Sequence, residues 1–206
     1  KREGYVCSQV NPALAGDRDA MLAMAKRFHA FAPNIAVKLP VTAAGLDVLE
    51  ACTAEGITAT ATVSFCVPQV VQIAESHRRG IKRAKEQGVE PGKCFAVIMI
   101  GRLDDYLRDV AKDAKADISE ADIQQAGLAA TKRAYAIYQE RGYEAVLLIA
   151  ALRGTYHMTE LVGAKLIMSI HPDYQQMFLS QAMPREERIE REIPSDVIER
   201  LMKLPE

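Results

Sequence analysis

The 206-residue chain has no excess of charge of either sign: 26 lysines and arginines face 27 aspartates and glutamates, for a formal net charge of -1. That balance gives no electrostatic case for binding nucleic acid or an anionic membrane surface. No apolar run approaches the roughly 18 residues that a membrane-spanning helix needs, and no basic-then-apolar leader opens the chain. Cys7, Cys52, Cys66 and Cys94 never fall in a Cys-x-x-Cys spacing. They read as small buried thiols rather than as a disulfide framework. His29, His77, His157 and His171 add no close pair of ligands, so no metal is expected, and no cofactor either. What is present is 49% hydrophobic and 26% charged residues, enough for one domain with a sizeable core and too apolar for disorder. The expectation is a soluble, globular, cytoplasmic protein, with a homo-oligomer left open.

Two kinds of segment alternate. Short β-rich runs lie at Tyr5 to Val10, Ile35 to Leu39, Ile57 to Phe65, Cys94 to Ile100, Ala145 to Ala150 and Leu166 to Ile170. Helical spacing falls between them: Met21, Met24, Ala25 and Phe28, then in part Leu46, Leu49, Glu50 and Thr53, then Val70 onward, then Leu128 to Tyr138. Gly56, Gly88 and Gly142 each stop a helix shortly before a strand, as C-cap glycines do. The basic run from His77 to Lys85 reads as a solvated helix face, and Asp109 to Asp117 as a solvent-facing loop or helix. A helical tail covers about 172–206.

Alternating strands and helices imply a parallel sheet with right-handed crossovers. In the run 57–65, Ile57, Ala59, Ala61, Val63 and Phe65 alternate with Thr58, Thr60, Thr62 and Ser64. An apolar face against helices and a polar face toward a lumen favour a (β/α)8 TIM barrel over an open sheet buried on both sides. Such a barrel takes eight strands and about 250 residues, whereas six strands are visible here and the chain begins with Lys1 directly before one. The expectation is therefore a single barrel domain over 1–206, lacking about two βα units at its amino end. Open sheet edges would expose unpaired backbone, so the isolated chain is expected to fold poorly.

Lys38 is the sharpest local anomaly, in Ile35-Ala36-Val37-Lys38-Leu39-Pro40. An ammonium in a buried strand is costly unless paired, and burial favours the neutral amine, the species that attacks a carbonyl to form a Schiff base. The alternative is a strand-end lysine reaching solvent. Arg102 and Arg153 also follow strands, where barrel active sites are built and late loops often hold phosphate. With the Gly154 and Thr155 N–H groups they would make a phosphate clamp; the alternative is ion pairing of Arg102 with Asp104 or Asp105. Thr62 could orient a water or a substrate hydroxyl, and Gln9 ends the first strand, although a sheet-favouring threonine and a core glutamine are the plainer readings. His171, at the end of the last strand before Pro172, could face the site, although a packing or capping role is the plainer reading.

Taken together, these segments resemble the transaldolase and fructose-6-phosphate aldolase family of class I aldolases. Val37-Lys38-Leu39-Pro40-Val41-Thr42 with Gly45-Leu46 looks like the Schiff-base strand and the helix start after it. Glu55-Gly56-Ile57-Thr58 through Thr62, then Phe65 and Gln69, resembles the next strand and loop. Gly101-Arg102-Leu103-Asp104 resembles the arginine motif, and Leu152-Arg153 with Gly163 the phosphate loop and the last strand's approach. The similarity covers most of residues 4–175. It implies a TIM barrel in which Lys38 forms an imine with a ketose or ketose phosphate, Thr62 positions water for proton transfer, and Arg102 and Arg153 bind phosphate.

The resemblance has departures. Where transaldolases carry a glutamate acid/base, this chain has Gln9, which cannot titrate. The aldolase branch also has glutamine there and compensates with a tyrosine, whose place falls to Met99. Two serines of the family site fall at Val97 and Ala151, and an aspartate and an asparagine of the first two strands lie outside the sequence. Three readings follow: a Schiff-base enzyme of sugar-phosphate metabolism, a catalytically weak or inactive protein of this fold with a binding or assembly role, and a lysine aldolase for a non-phosphorylated substrate.

Overall fold

A computed structural model describes residues 4–205. The chain runs β1 (Val6–Gln9), α1 (Arg18–His29), β2 (Ile35–Pro40), α2 (Ala43–Ala54), β3 (Ala59–Thr62), α3 (Val67–Glu86), β4 (Cys94–Met99), α4 (Ile100–Asp113), α5 (Glu120–Ile123), α6 (Ala126–Glu140), β5 (Val146–Ala150), α7 (Tyr156–Thr159), β6 (Ile167–Met168), α8 (Pro172–Ser180) and α9 (Ser195–Leu201). The six strands follow one another in chain order in one sheet. The pairs β1–β2, β2–β3, β3–β4 and β5–β6 are parallel. Parallel neighbours joined by helix-bearing connections make an α/β fold that fits part of a TIM barrel.

The chain forms two compact units. One comprises the chain up to Ser64, Pro68–Val97 and Tyr138–Leu147; the other comprises Phe65–Val67, Ile98–Ile137 and the chain from Leu148 on. In the first unit, Asp17 opens α1 by accepting the Ala20 N–H at 3.0 Å, and Thr42 opens α2 by accepting the Gly45 N–H at 3.0 Å. Both caps satisfy donors that a helix leaves unpaired. Met21, Ala25, Val48, Leu49, Ile73 and Ala74 on the helices are buried together with Val37, Leu39, Ala59, Ala61 and Ala96 on the strands. Gly56 and Gly88 sit at φ +78° and +68°, the left-handed conformation expected of helix-ending glycines.

Several expectations need correction. The strand drawn over 57–65 is ordered as a strand only over Ala59–Thr62, because Val63 turns to φ +64°. Its polar face is packed: Thr58, Thr60, Thr62 and Ser64 are buried, as side chains that fill the interior of a barrel sheet are. Thr60 Oγ1 lies 3.5 Å from Cys7 Sγ and the Ser64 hydroxyl donates to the Val97 carbonyl, so part of that polarity is satisfied internally. Only two cysteines are buried; burial pushes the Cys52 and Cys94 thiols up to about 12, while Cys7 and Cys66 are exposed. The basic run is solvated at Arg78, Arg79, Lys82 and Arg83 but not at His77.

In the second unit the run read as strand to Ile100 becomes helix α4 at that residue, which places Arg102 in the first turn. Arg200 on α9 reaches Asp122 on α5 at 2.8 Å, and Lys132 on α6 donates to the Arg188 and Arg191 carbonyls at 2.8 and 2.7 Å. These contacts hold the tail, which is helical only in α8 and α9. Among the described residues no helix is long and apolar enough to cross a membrane.

His77 generates a pH prediction. It is buried, its Nε2 lies 3.0 Å from the Gly92 carbonyl, and desolvation holds its pKa below the ordinary 6.5. Below 6.5 the unfolded chain takes up a proton that the folded protein resists. Stability is therefore expected to fall as pH drops through that value, by at most about 1.4 kcal/mol per pH unit for one proton. Urea midpoints at pH about 7.5 and about 5.5 measure it. His77→Gln, which keeps an N–H for Gly92, should shrink the difference; an undiminished drop would assign it elsewhere.

Candidate active site

In the first unit, register aligns Gln9 with Lys38 and Lys38 with Thr60, while Pro40 aligns with Thr62. Aligned residues of parallel strands point to the same side, and alternate residues share it. One face therefore carries Gln9, Lys38, Thr60 and Thr62. Lys38 is half-buried near the end of β2, and its Nζ has no hydrogen-bond or ion-pair partner among the described residues. Gln9 Nε2 donates to the Lys38 carbonyl at 3.2 Å, beside the Val10 N–H on the same oxygen. The Thr62 side chain is 4% exposed and lies at the last position of β3.

The turn after the lysine strand is fixed by Thr42, whose hydroxyl donates to the Ala15 carbonyl at 2.6 Å while capping α2. Gly45 lets that first turn close on β2, since a Cβ there would lie 1.9 Å from the Pro40 carbonyl oxygen. The local sequence Pro-Val-Thr-x-x-Gly thus anchors the strand end two residues beyond Lys38.

In the second unit, Arg102 and Arg153 meet at one carboxylate rather than an open anion site. Arg153 Nε donates to Asp105 Oδ1 at 3.0 Å, its Nη2 also donates to Asp105, and Nη1 donates to the Ala151 carbonyl at 2.8 Å. Arg102 lies 3.7 Å from the same aspartate. The ion-pair alternative for Arg102 is realised, with Asp105 as partner. The arginines hold the Asp105 carboxyl below the ordinary carboxylate range, Arg153 most of all.

Behind Arg153 lies a buried cluster that sequence reading missed. Asp104, fully buried, accepts the Gly127 N–H at 2.9 Å and the Tyr156 hydroxyl at 3.1 Å. His157, also fully buried, accepts the Arg153 N–H on Nδ1 at 3.1 Å. Its Nε2 faces Asp104 across 3.0 Å without the alignment of a full hydrogen bond. With Nδ1 accepting, the neutral ring carries its proton on Nε2. Burial first, and then Asp104, raises the Tyr156 phenol above its usual range. The missed signal was Asp104 itself, which falls in the buried stripe with Ile100 and Ala111 of an amphipathic helix.

The loop carrying Arg153 starts from Ala151 at φ +59°. It lines a cavity of about 590 Å³ with Ser169, His171 and Tyr174, at the carboxyl ends of β5 and β6. His171 does cap α8, accepting the Asp173 N–H at 3.3 Å, and its side chain is exposed. Among the described residues no group of three or more His, Cys, Asp or Glu could hold a metal ion.

A model of the Transaldolase/Fructose-6-phosphate aldolase family matches residues 1–205. The chain belongs to this family. It is 32% identical over 142 residues to the transaldolase of Mycolicibacterium paratuberculosis, a match covering 67% of this chain and 38% of that protein. It is 32% identical over 143 residues to the transaldolase of Mycobacterium leprae, covering 68% and 38% respectively. The transaldolase of Mycolicibacterium smegmatis is 31% identical over 142 residues, again covering 67% and 38%. The matched stretch thus spans 38% of the length of these transaldolases.

The Asp104 cluster predicts two distinct losses. Asp104→Ala leaves buried partners without their acceptor and should cost about 3–5 kcal/mol. Tyr156→Phe removes one hydroxyl donor and should cost about 1 kcal/mol. Urea unfolding of both variants checks the ordering; equal costs would show that Asp104 does not organise the cluster.

Proposed function

We propose that this chain carries the chemistry of a transaldolase-type Schiff-base enzyme acting on a ketose or ketose phosphate, within an eight-stranded barrel. The observation that carries the reading, beside family membership, is Lys38: a half-buried amine without an acidic partner among the described residues, near the carboxyl end of a parallel strand. An amine that no carboxylate holds is free to turn toward a carbonyl and add to it as its neutral form.

The neutral Lys38 nitrogen adds to the ketose carbonyl, and loss of water gives a protonated imine. That imine accepts the electron pair of the breaking carbon–carbon bond, releasing an aldehyde and leaving an enamine on Lys38. The enamine then attacks an acceptor aldehyde, whose oxygen takes up a proton, and water hydrolyses the new imine to release the lengthened ketose and free Lys38; alternatively the enamine is protonated and its imine hydrolysed to dihydroxyacetone. Thr62 is assigned to the water that carries protons, and Arg102 and Arg153 to the substrate phosphate. Gln9 is assigned a positioning role, because its amide bonds the Lys38 carbonyl and cannot exchange a proton at neutral pH. The protein is assigned to the cytoplasm, and its balanced charge offers no basic surface for a nucleic-acid or anionic-membrane partner.

The second reading, a protein of this fold with a binding or assembly role and little catalysis, is favoured by Gln9 standing where an acid/base is needed and by Arg153 being occupied by Asp105. Borohydride trapping with fructose 6-phosphate and with dihydroxyacetone separates the two. A reduced adduct on the Lys38 peptide, lost in Lys38→Ala, is the expected result. Absence of any adduct with either ketose would overturn the Schiff-base reading in favour of the second.

A further inference from the structure

The donors of Arg153 can be counted. Its Nε–H and one Nη2–H go to Asp105, and Nη1 serves the Ala151 and Leu152 carbonyls at 2.8 and 3.3 Å. A guanidinium has five N–H groups, so one N–H on Nη2 remains. The paired edge that binds a phosphate bidentately is filled by a carboxylate of the same chain. Other groups crowd that carboxylate: Arg108 Nη1 lies 3.3 Å from Asp105 Oδ1, and Arg102 Nη1 lies 3.7 Å from Oδ2. Arg108 is itself held by Glu120 at 2.7 Å, and Asp104 faces the other way into the buried cluster.

The geometry points to Asp105 as a specificity-determining residue: an internal carboxylate that occupies the phosphate-binding edge of Arg153 and must be displaced by the ligand. The inference rests on the proposed phosphate role of Arg153. Displacement is chemically selective. A phosphate dianion offers more charge and three acceptor oxygens to Arg153 than a carboxylate does, whereas a monoanion or an uncharged hydroxyl offers no gain over Asp105. The released carboxylate already has Arg108 and Arg102 within reach, so it is not left unpaired. Asp105 thereby sets a threshold that a phosphorylated ketose passes and its unphosphorylated counterpart does not.

The test is calorimetric titration of the protein with inorganic phosphate at slightly alkaline pH and fixed ionic strength. Asp105→Asn removes the competing charge and should tighten phosphate binding by about tenfold or more, the weight of a charge-assisted pair. It should also let nitrate, a monoanion, compete measurably. Asp109→Asn, an equal charge change at an exposed position of the same helix, should leave phosphate affinity within about twofold. Asp105→Ser serves as a second variant should the amide misfold, with circular dichroism checking both. Unchanged or weaker phosphate binding in both Asp105 variants would overturn the inference and make Asp105 a brace for Arg153. Equal tightening in Asp109→Asn would also overturn it, as a long-range charge effect. Failure of the natural protein and every variant to bind phosphate would remove this inference and the phosphate role together, leaving imine trapping on Lys38 with dihydroxyacetone to decide the rest.

Discussion

Parallel pairing is the constraint from which the rest follows. Strands aligned head to head within a unit must present their carboxyl ends along one edge, and each connection must then leave from that edge. In the first unit this sets Lys38 beside Gln9 and Thr60, with Thr62 one alternation further on. In the second it sets the Arg153 loop and Ser169 at the ends of β5 and β6, around a common cavity. The backbone is strained at these same strand ends. Val63 follows β3 and Ala151 follows β5, both non-glycine residues at positive φ. Each such position costs of order 1–3 kcal/mol and persists only where surrounding structure over-determines it.

The two cation types stand in opposite states. Among the described residues the half-buried Lys38 amine has no hydrogen-bond or ion-pair partner. Arg153 is supported by one carboxylate and two carbonyls, so its charge is fixed and its donors are spoken for. An amine can gain from isolation because its neutral form reacts; a guanidinium is never neutral in practice, so its function turns on which anion it holds.

How much of this could be read from the sequence depended on whether the signal was local. The strand Ile35–Pro40, the lysine within it, the glycine stops and the helical stretches all carry their information within a few residues. Arg102 and Arg153 follow β4 and β5 as the sequence suggests, yet it leaves the ion-pair partner of Arg102 open between Asp104 and Asp105, which are equivalent on charge alone, and gives no partner for Arg153. Their difference is geometric: successive residues of a helix point about 100° apart, so Asp104 turns into the buried stripe and Asp105 away from it. The threonine face of β3 is legible as a side but not in its packing. Period-two polarity assigns a side and not what covers it, and here Thr58, Thr60 and Thr62 are buried.

That angular split gives the arginine loop two independent fixings. The Arg153 backbone N–H is held by His157, within the cluster organised around Asp104, while its side chain is held by Asp105. In the proposed displacement the guanidinium would exchange one anion for another while its backbone stays bonded to a fully buried ring. The cost of exchange falls on side-chain contacts that are only part-buried, rather than on the strained turn at Ala151. The proposed displacement would then need a rotamer change of one aspartate, with the loop, the cavity wall and the strand end remaining where the parallel sheet put them.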